Sequence, residues 1–130
     1  MLAVDTNLLL RLLVRDDAQQ AITADNFVAT GAWVSQLVLA ETVWVLQVVY
    51  ERSALQLANA LELLLAHEAL VLQDADTVKL ALAHFRKKPS LGFSDCLVLE
   101  IARKEGHLPL GTFDKALSAL PGAQRLKSTR

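Results

Sequence analysis

Residues 2–14, with the sequence LAVDTNLLLRLLV, decide the fold class of this chain of 130 residues. Residues 2–5 are a short apolar run that ends in a charged residue, Asp5, and such a run indicates a buried β-strand. Residues 8–13 continue as an apolar helix, so the chain begins with a strand that is followed at once by a helix. Where strands are parallel, ligands bind outside their carboxyl ends, which makes Asp5 a candidate site residue.

The alternation of strand and helix continues along the rest of the chain. Further strands are predicted at residues 33–34, 70–72, 108–112 and 124–126, and further helices at 18–30, 35–50, 53–67, 76–88, 94–104 and 115–120. Ser35 and Ser53 precede two of these helices and can cap them. Short apolar strands alternating with helices favour an α/β fold whose parallel sheet is covered on both faces. Because the sequence shows no linker or repeat, we expect one domain over residues 1–130.

The composition sets limits on the class of protein. Hydrophobic residues make up 53% of the chain, which excludes a disordered protein. Polar or charged residues such as Glu41 and Glu62 interrupt the apolar stretches, so we expect no membrane span. The single cysteine, Cys96, fits a reducing compartment, and we expect a cytoplasmic protein. The net charge of −1 gives no basic footprint, so contact with nucleic acid must come from a local basic cluster or through metal ions.

Among fourteen acidic residues, four are not explained by a polar helix face or a turn: Asp5, Glu41, Asp95 and Asp114. Asp5 and Asp114 follow predicted strands and Asp95 opens a predicted helix, so each of these three could be only a helix cap. Glu41 has apolar neighbours such as Trp44 at helical spacings of three and four residues. A carboxylate on an apolar stripe needs a cation, a metal or a raised pKa, unless it extends past the stripe into water.

The order of the four acids along the chain favours a shared site. Asp5 and Asp114 would lie at the same edge of a parallel sheet, while Glu41 and Asp95 fall early in helices that could reach that edge. Convergent carboxylates suit Mg²⁺ or Mn²⁺, whose preferred ligands are carboxylates and water. No zinc site competes with this interpretation, because the three histidines lack the spacing of zinc ligands.

At these acids the sequence resembles the PIN-domain ribonucleases, and among them the VapC toxins of prokaryotic toxin–antitoxin pairs. The resemblance extends over almost the whole chain and is carried by four segments in the family's order: Val4-Asp5-Thr6-Asn7, Ser35 through Ala40-Glu41, Phe93-Ser94-Asp95, and Gly111-Thr112-Phe113-Asp114. It implies a PIN-like α/β/α sandwich with a central parallel sheet of four or five strands.

The resemblance also implies the activity, the site and the partner. The activity would be metal-dependent endoribonuclease cleavage, with Mg²⁺ (or Mn²⁺) as cofactor, RNA as substrate and a cognate VapB-like antitoxin as inhibitor. The implied metal ligands are Asp5, Glu41, Asp95 and Asp114, and the implied polar supports for the carboxylates or a bound water are Thr112 and Asn7. Separately, apolar helix surface that includes Trp44 and Val48 suggests a homodimer, although these side chains could all be core.

Other functions stay open from sequence alone. One is a non-catalytic interaction module on the same scaffold, and another is a housekeeping RNA-processing nuclease. A DNA-cleaving enzyme is a third, because metal chemistry does not distinguish the two sugars. A phosphoacceptor signalling domain is disfavoured because Asp5 stands alone after the first strand. Candidates for phosphate contacts are Arg11, Arg15, Lys87, Lys88 and Lys115, although a solvated helix face explains each of them better.

Overall fold

A computed structural model describes residues 1–128 of the chain. The chain divides into two compact units, Met1–Ala75 and Asp76–Arg130. Each unit contains parallel strands and the helices that pack on them, so the α/β class is confirmed. The single domain over residues 1–130 stays a prediction.

The first unit is built on parallel strands that alternate with helices. Its strands are β1 (Leu2–Ala3), β2 (Ala32–Val34) and β3 (Leu70–Leu72), hydrogen-bonded in that order. Its helices are α1 (Thr6–Val14), α2 (Ala18–Val28), α3 (Gln36–Val48) and α4 (Ala54–Ala66). Helix α1 packs against α2 and α3, and α4 packs against α3 and β3. Fully buried aliphatic side chains form the core of this unit, among them Leu9, Val34, Leu39 and Leu61.

The second unit begins within α5 (Ala75–Lys87), whose first residue is the last of the first unit. A 3₁₀ turn (Pro89–Leu91), α6 (Phe93–Lys104), β4 (Leu110–Thr112), α7 (Lys115–Ser118) and β5 (Ala123–Arg125) follow. Strands β4 and β5 are parallel, and α7 packs against both. The aromatic rings of Phe85 and Phe93 meet edge to face with their centroids 6.4 Å apart, which joins α5 to α6.

Within residues 1–128 the strands form two sheets, and the expected single sheet of four or five strands is therefore wrong. Strands β1, β2 and β3 form one parallel sheet, and β4 and β5 form a second. Each strand has only two or three residues, so each pairing rests on few backbone hydrogen bonds. An apolar run indicates that a strand exists, but its hydrogen-bonding partner depends on contacts distant in sequence.

One face of the three-stranded sheet is buried and the other is partly open. Ala32 and Val34 of β2 are fully buried, whereas Trp33 between them keeps 38% of its surface exposed and Val71 of β3 keeps 48%. The alternation follows from the period of two along a strand. The second face of this sheet is therefore partly covered, since Trp33 and Val71 are each more than half buried.

Two helix starts follow directly from side-chain capping. The Ser35 hydroxyl accepts a hydrogen bond from the Val38 amide at 3.1 Å, and this fixes the first turn of α3. At α4, Ser53 and Gln56 form a reciprocal capping box, in which each side chain accepts from the other's backbone amide. Both caps confirm the predicted helix starts.

Candidate functional site

Asp5 lies just beyond the carboxyl end of β1 and caps α1. Its Oδ1 accepts a hydrogen bond from the Leu8 amide at 3.0 Å, so the interpretation of Asp5 as a cap is confirmed. A carboxylate has a second oxygen, so the cap does not prevent Asp5 from binding a cation as well. Because β1 and β2 are parallel, the end of β1 and the start of α3 lie at the same edge of the sheet.

Glu41 lies on the solvent-facing side of α3. It is exposed, and so are its apolar neighbours Leu37 and Trp44, at 70% and 58% of their surface. The buried side of α3 is instead formed by Leu39, Thr42, Val43 and Leu46. The inference that Glu41 needs a cation because it lies on a desolvated stripe is therefore wrong. Its candidacy rests on its position, about 7 Å along α3 from the first residue of that helix.

The carboxyl edge of the first sheet also holds two glutamines that the sequence analysis missed. Gln73 directly follows β3, and its Oε1 accepts a hydrogen bond from the Gln36 backbone amide at 2.9 Å. The Gln36 side-chain amide nitrogen is buried with no hydrogen-bond partner among residues 1–128. A buried donor without a partner costs about 1–3 kcal/mol, which an oxygen ligand at this edge would offset. The signal available in the sequence was their position near strand ends, since Gln73 directly follows β3 and Gln36 is the second residue after β2.

In the second unit the structure brings Asp95 and Asp114 together. Asp95 lies in the first turn of α6 and Asp114 caps α7. Partial burial of the carboxyl group raises the pKa of Asp95 above its usual value, and the negative charge of Asp114 raises it further. Although Asp95 is exposed as a residue, its carboxylate is therefore partly shielded from water and faces a like charge.

Thr112 and the α7 amides hold Asp114 in place. The Asp114 amide donates to Thr112 Oγ1 at 3.0 Å, and Asp114 Oδ1 accepts from the amides of Ala116 and Leu117 at 2.8 and 3.2 Å. The cap interpretation of Asp114 is confirmed, and Oδ2 is the atom that a cation would bind. Asn7, the other expected support, is exposed on α1, two residues after Asp5.

A family model for the PIN domain matches residues 2–123, which is most of the chain. The chain belongs to the PIN domain family. PIN domains are generally nucleases that hydrolyse nucleic acids and typically use divalent metal ions. A search of curated protein sequences finds no significant match. Over the residues that the structure describes, no helix is long and apolar enough to cross a membrane.

The donors of this PIN domain suit a hard divalent cation. Burial is the main cause of the raised pKa of Asp95, and repulsion by the neighbouring carboxylate of Asp114 adds to it. Mg²⁺ or Mn²⁺ would offset that repulsion. Within residues 1–128, however, no group of three or more His, Cys, Asp or Glu side chains is arranged to hold a metal ion. The pair Asp95–Asp114 is what the structure shows, and a site of four ligands stays a prediction.

Asp95→Asn should not destabilise the metal-free PIN domain. An acid in the first turn of α6 gains about 0.3–1 kcal/mol from the helix dipole, but the raised pKa shows that burial and Asp114 outweigh that gain. We expect an unchanged or higher Tm in EDTA, measured by circular dichroism. Added Mg²⁺ or Mn²⁺ should raise the Tm of the wild type and have much less effect on the variant. An equal metal-induced rise in both proteins would show that Asp95 is not a ligand.

A buried carboxylate elsewhere in the second unit has a structural role. From the sequence, Glu100 is one of the acids expected on a polar helix face or near a helix end, but only 3% of its side chain is exposed and that expectation is wrong. Glu100 lies 3.2 Å from His84 Nε2 and accepts from Arg103 Nε at 3.1 Å. The Arg103 guanidinium also donates to the backbone carbonyl of Pro121. This group, the Glu100 cluster (His84, Glu100 and Arg103), joins α5, α6 and the turn between α7 and β5.

Proposed function

We propose that this PIN domain is a metal-dependent endoribonuclease and the toxin of a toxin–antitoxin pair. The observation that carries the proposal is the pair of carboxylates Asp95 and Asp114, which lie close enough for one to raise the pKa of the other. Membership of a family whose members are generally nucleases supplies the reaction class. Asp5 and Glu41 complete the proposed set of ligands for one or two Mg²⁺ (or Mn²⁺) ions.

Their contacts support a role for each of these residues. When bound, a divalent ion lowers the pKa of a coordinated water and stabilises charge on the leaving oxygen. Asp114 and Asp5 each bind a helix amide through Oδ1, which holds their carboxylates in fixed directions. Thr112 positions Asp114 through the backbone, and Asn7 would hold the substrate or a water beside Asp5.

Of the basic residues considered for phosphate contacts, not all are equally available. Arg15 is bound through two nitrogens to both carboxylate oxygens of Asp25, at 3.0 and 2.7 Å, so its charge is already matched. Lys87 and Lys88 are exposed at the end of α5, and Lys115 is exposed next to Asp114. Lys115 is the favoured phosphate contact because it adjoins a proposed metal ligand.

The exposed apolar surface of α3 supports a homodimer and a protein partner. Leu37, Trp44 and Val48 lie within this helix with 54–70% of their surface exposed. An apolar patch of this kind on a small protein indicates an association surface. A second copy of the chain and a VapB-like antitoxin are the proposed partners, and the cytoplasm is the proposed location.

Cleavage of RNA by the purified protein tests the proposal. Protein freed of any bound partner should cleave single-stranded or structured RNA when Mg²⁺ or Mn²⁺ is present, and activity should stop in EDTA. The same preparation should leave DNA of equal sequence intact. Undiminished cleavage in excess EDTA would contradict the metal mechanism. The toxin role would be contradicted if overexpression of this protein is harmless to the cell and no product of a neighbouring reading frame co-purifies with it. That outcome would favour a housekeeping ribonuclease.

A further inference from the structure

The first unit contains a cleft between α1 and α2, and Asn7 is the one residue of its lining that has a part in the proposed chemistry. Its volume is about 450 Å³, within the range of about 300–1,000 Å³ that is usual for small-molecule sites. Its walls combine apolar side chains with amide, hydroxyl and guanidinium groups: Asn7, Arg11, Gln20, Thr23 and Phe27. A groove that only packs against an apolar helix would not need this set of polar groups.

Phe27 and Gln20 give the cleft the two elements with which proteins bind unpaired bases. Phe27 keeps 42% of its surface exposed, so an aromatic ring faces the open cleft. An exposed ring is a stacking surface for a nucleobase, and side-chain amides bind the hydrogen-bonding edge of a base. The Thr23 hydroxyl donates to the Gln19 carbonyl at 2.9 Å, and its oxygen can still accept a hydrogen bond from a base amino group.

Arg11 is ion-paired with Asp16 and supplies guanidinium N–H donors that are held in place before any ligand binds. Its Nη1 donates to Asp16 at 2.9 Å and its Nη2 donates to the Tyr50 hydroxyl at 2.8 Å. A guanidinium carries five N–H groups, and these two contacts engage two of them. The remaining N–H groups suit a phosphate oxygen, for which the planar geometry of arginine is well matched.

The cleft lies beside the proposed catalytic residues of the same unit. Asn7 lines it and is two residues from Asp5, and Arg11 lies about 9 Å further along α1 than Asp5. A nucleotide next to the cleaved phosphodiester could therefore place its base in the cleft.

We propose that this cleft binds a base of single-stranded RNA adjacent to the cleavage point, with Phe27 stacking on the base and Gln20 contacting its edge. The inference rests on the proposed ribonuclease function and adds the residues that select the substrate. Arg11 contacts the neighbouring phosphate in this arrangement, and Asn7 lies between the cleft and Asp5. Cleavage preference is then set by the base that fits between Phe27 and Gln20.

Binding of fluorescein-labelled single-stranded RNA, measured by anisotropy in EDTA, tests the cleft without cleavage. Phe27→Ala should raise the Kd about 5- to 100-fold, the effect of losing one base stack, and Phe27→Trp should restore tight binding. Gln20→Ala should change the order of Kd values among otherwise identical oligomers that differ in one base. The matched controls are Ile22→Ala and Gln19→Ala, which change residues of α2 outside the lining of the cleft and should stay within about twofold of wild type.

The outcomes separate this inference from the proposed function. Wild-type protein that binds RNA but does not cleave it in Mg²⁺ or Mn²⁺ would contradict the ribonuclease proposal, while the Phe27 comparison would still test the cleft. Equal Kd values for Phe27→Ala and Ile22→Ala, or no RNA binding by the wild type, would overturn the cleft proposal. The remaining outcome is that Phe27→Ala binds RNA as the wild type does but fails to bind the purified product of the neighbouring reading frame. That result would overturn the cleft proposal and identify the cleft as a protein-docking groove.

Discussion

Glu41→Gln should reduce RNA cleavage by more than about 100-fold while leaving the Tm unchanged. Loss of a residue that only supports a metal ligand costs about 10- to 100-fold, so loss of a direct ligand should cost more. Because Glu41 is exposed, the substitution should alter the free energy of unfolding by no more than about 0.5 kcal/mol. Initial rates on one RNA oligomer at saturating Mg²⁺ measure the cleavage. Thermal melts of both proteins in EDTA, where no metal contributes to stability, measure the Tm.

Glu68→Gln is the matched control for this experiment. Glu68 is also an exposed glutamate of the first unit, and it lies outside the proposed ligand set. The Glu68→Gln variant should cleave RNA at the wild-type rate. Full activity of Glu41→Gln would remove Glu41 from the site and leave Asp95 and Asp114 as the supported ligands.

Arg103→Met should lower the free energy of unfolding by about 2–4 kcal/mol. The substitution keeps much of the aliphatic length but removes the ion pair of Arg103 with the 3%-exposed carboxylate of Glu100, and it removes the donor to Pro121. Breaking a buried ion pair typically costs about 3–5 kcal/mol. We expect a smaller loss of stability than is typical, because 36% of the Arg103 side chain is exposed and water already screens part of the interaction.

Urea denaturation of Arg103→Met and Lys87→Met separates the Glu100 cluster from a general effect of charge. Both variants lose one positive charge of the second unit, but Lys87 is exposed at the end of α5. Lys87→Met should stay within about 0.5 kcal/mol of wild type. If the two variants unfold at the same urea concentration, the cluster does not stabilise the fold.

Local signals in the sequence predicted the elements of the fold. Strand β3 begins and ends as predicted, and the serines before α3 and α4 cap those helices because a hydroxyl binds an amide three residues later. The exposed side of α3 was mispredicted because this helix, QLVLAETVWVLQV, is apolar on most of its circumference. Periodicity therefore could not distinguish the side that carries Glu41 from the side that carries Leu39.

Local sequence signals could not predict features that depend on residues distant in sequence. The division of the strands into two sheets depends on which backbones pair, and nothing in a three-residue run specifies its partner. Burial of Glu100 depends on His84, sixteen residues earlier on another helix. No local sequence pattern links residues nineteen apart. The pairing of Asp95 with Asp114 could therefore be expected only from the family resemblance and from the positions of both residues at the ends of predicted elements.

Paramagnetic broadening by Mn²⁺ tests most directly whether the four acids share a metal. The metal-free protein, labelled with ¹⁵N, would be titrated with a few hundredths of an equivalent of Mn²⁺ while backbone amide resonances are recorded. If the four acids share a metal, the amides of Asp5, Glu41, Asp95 and Asp114 broaden together, the amide of Glu68 stays sharp, and excess Mg²⁺ reverses the effect. Broadening confined to Asp95 and Asp114, with Asp5 and Glu41 unaffected, would contradict a shared site.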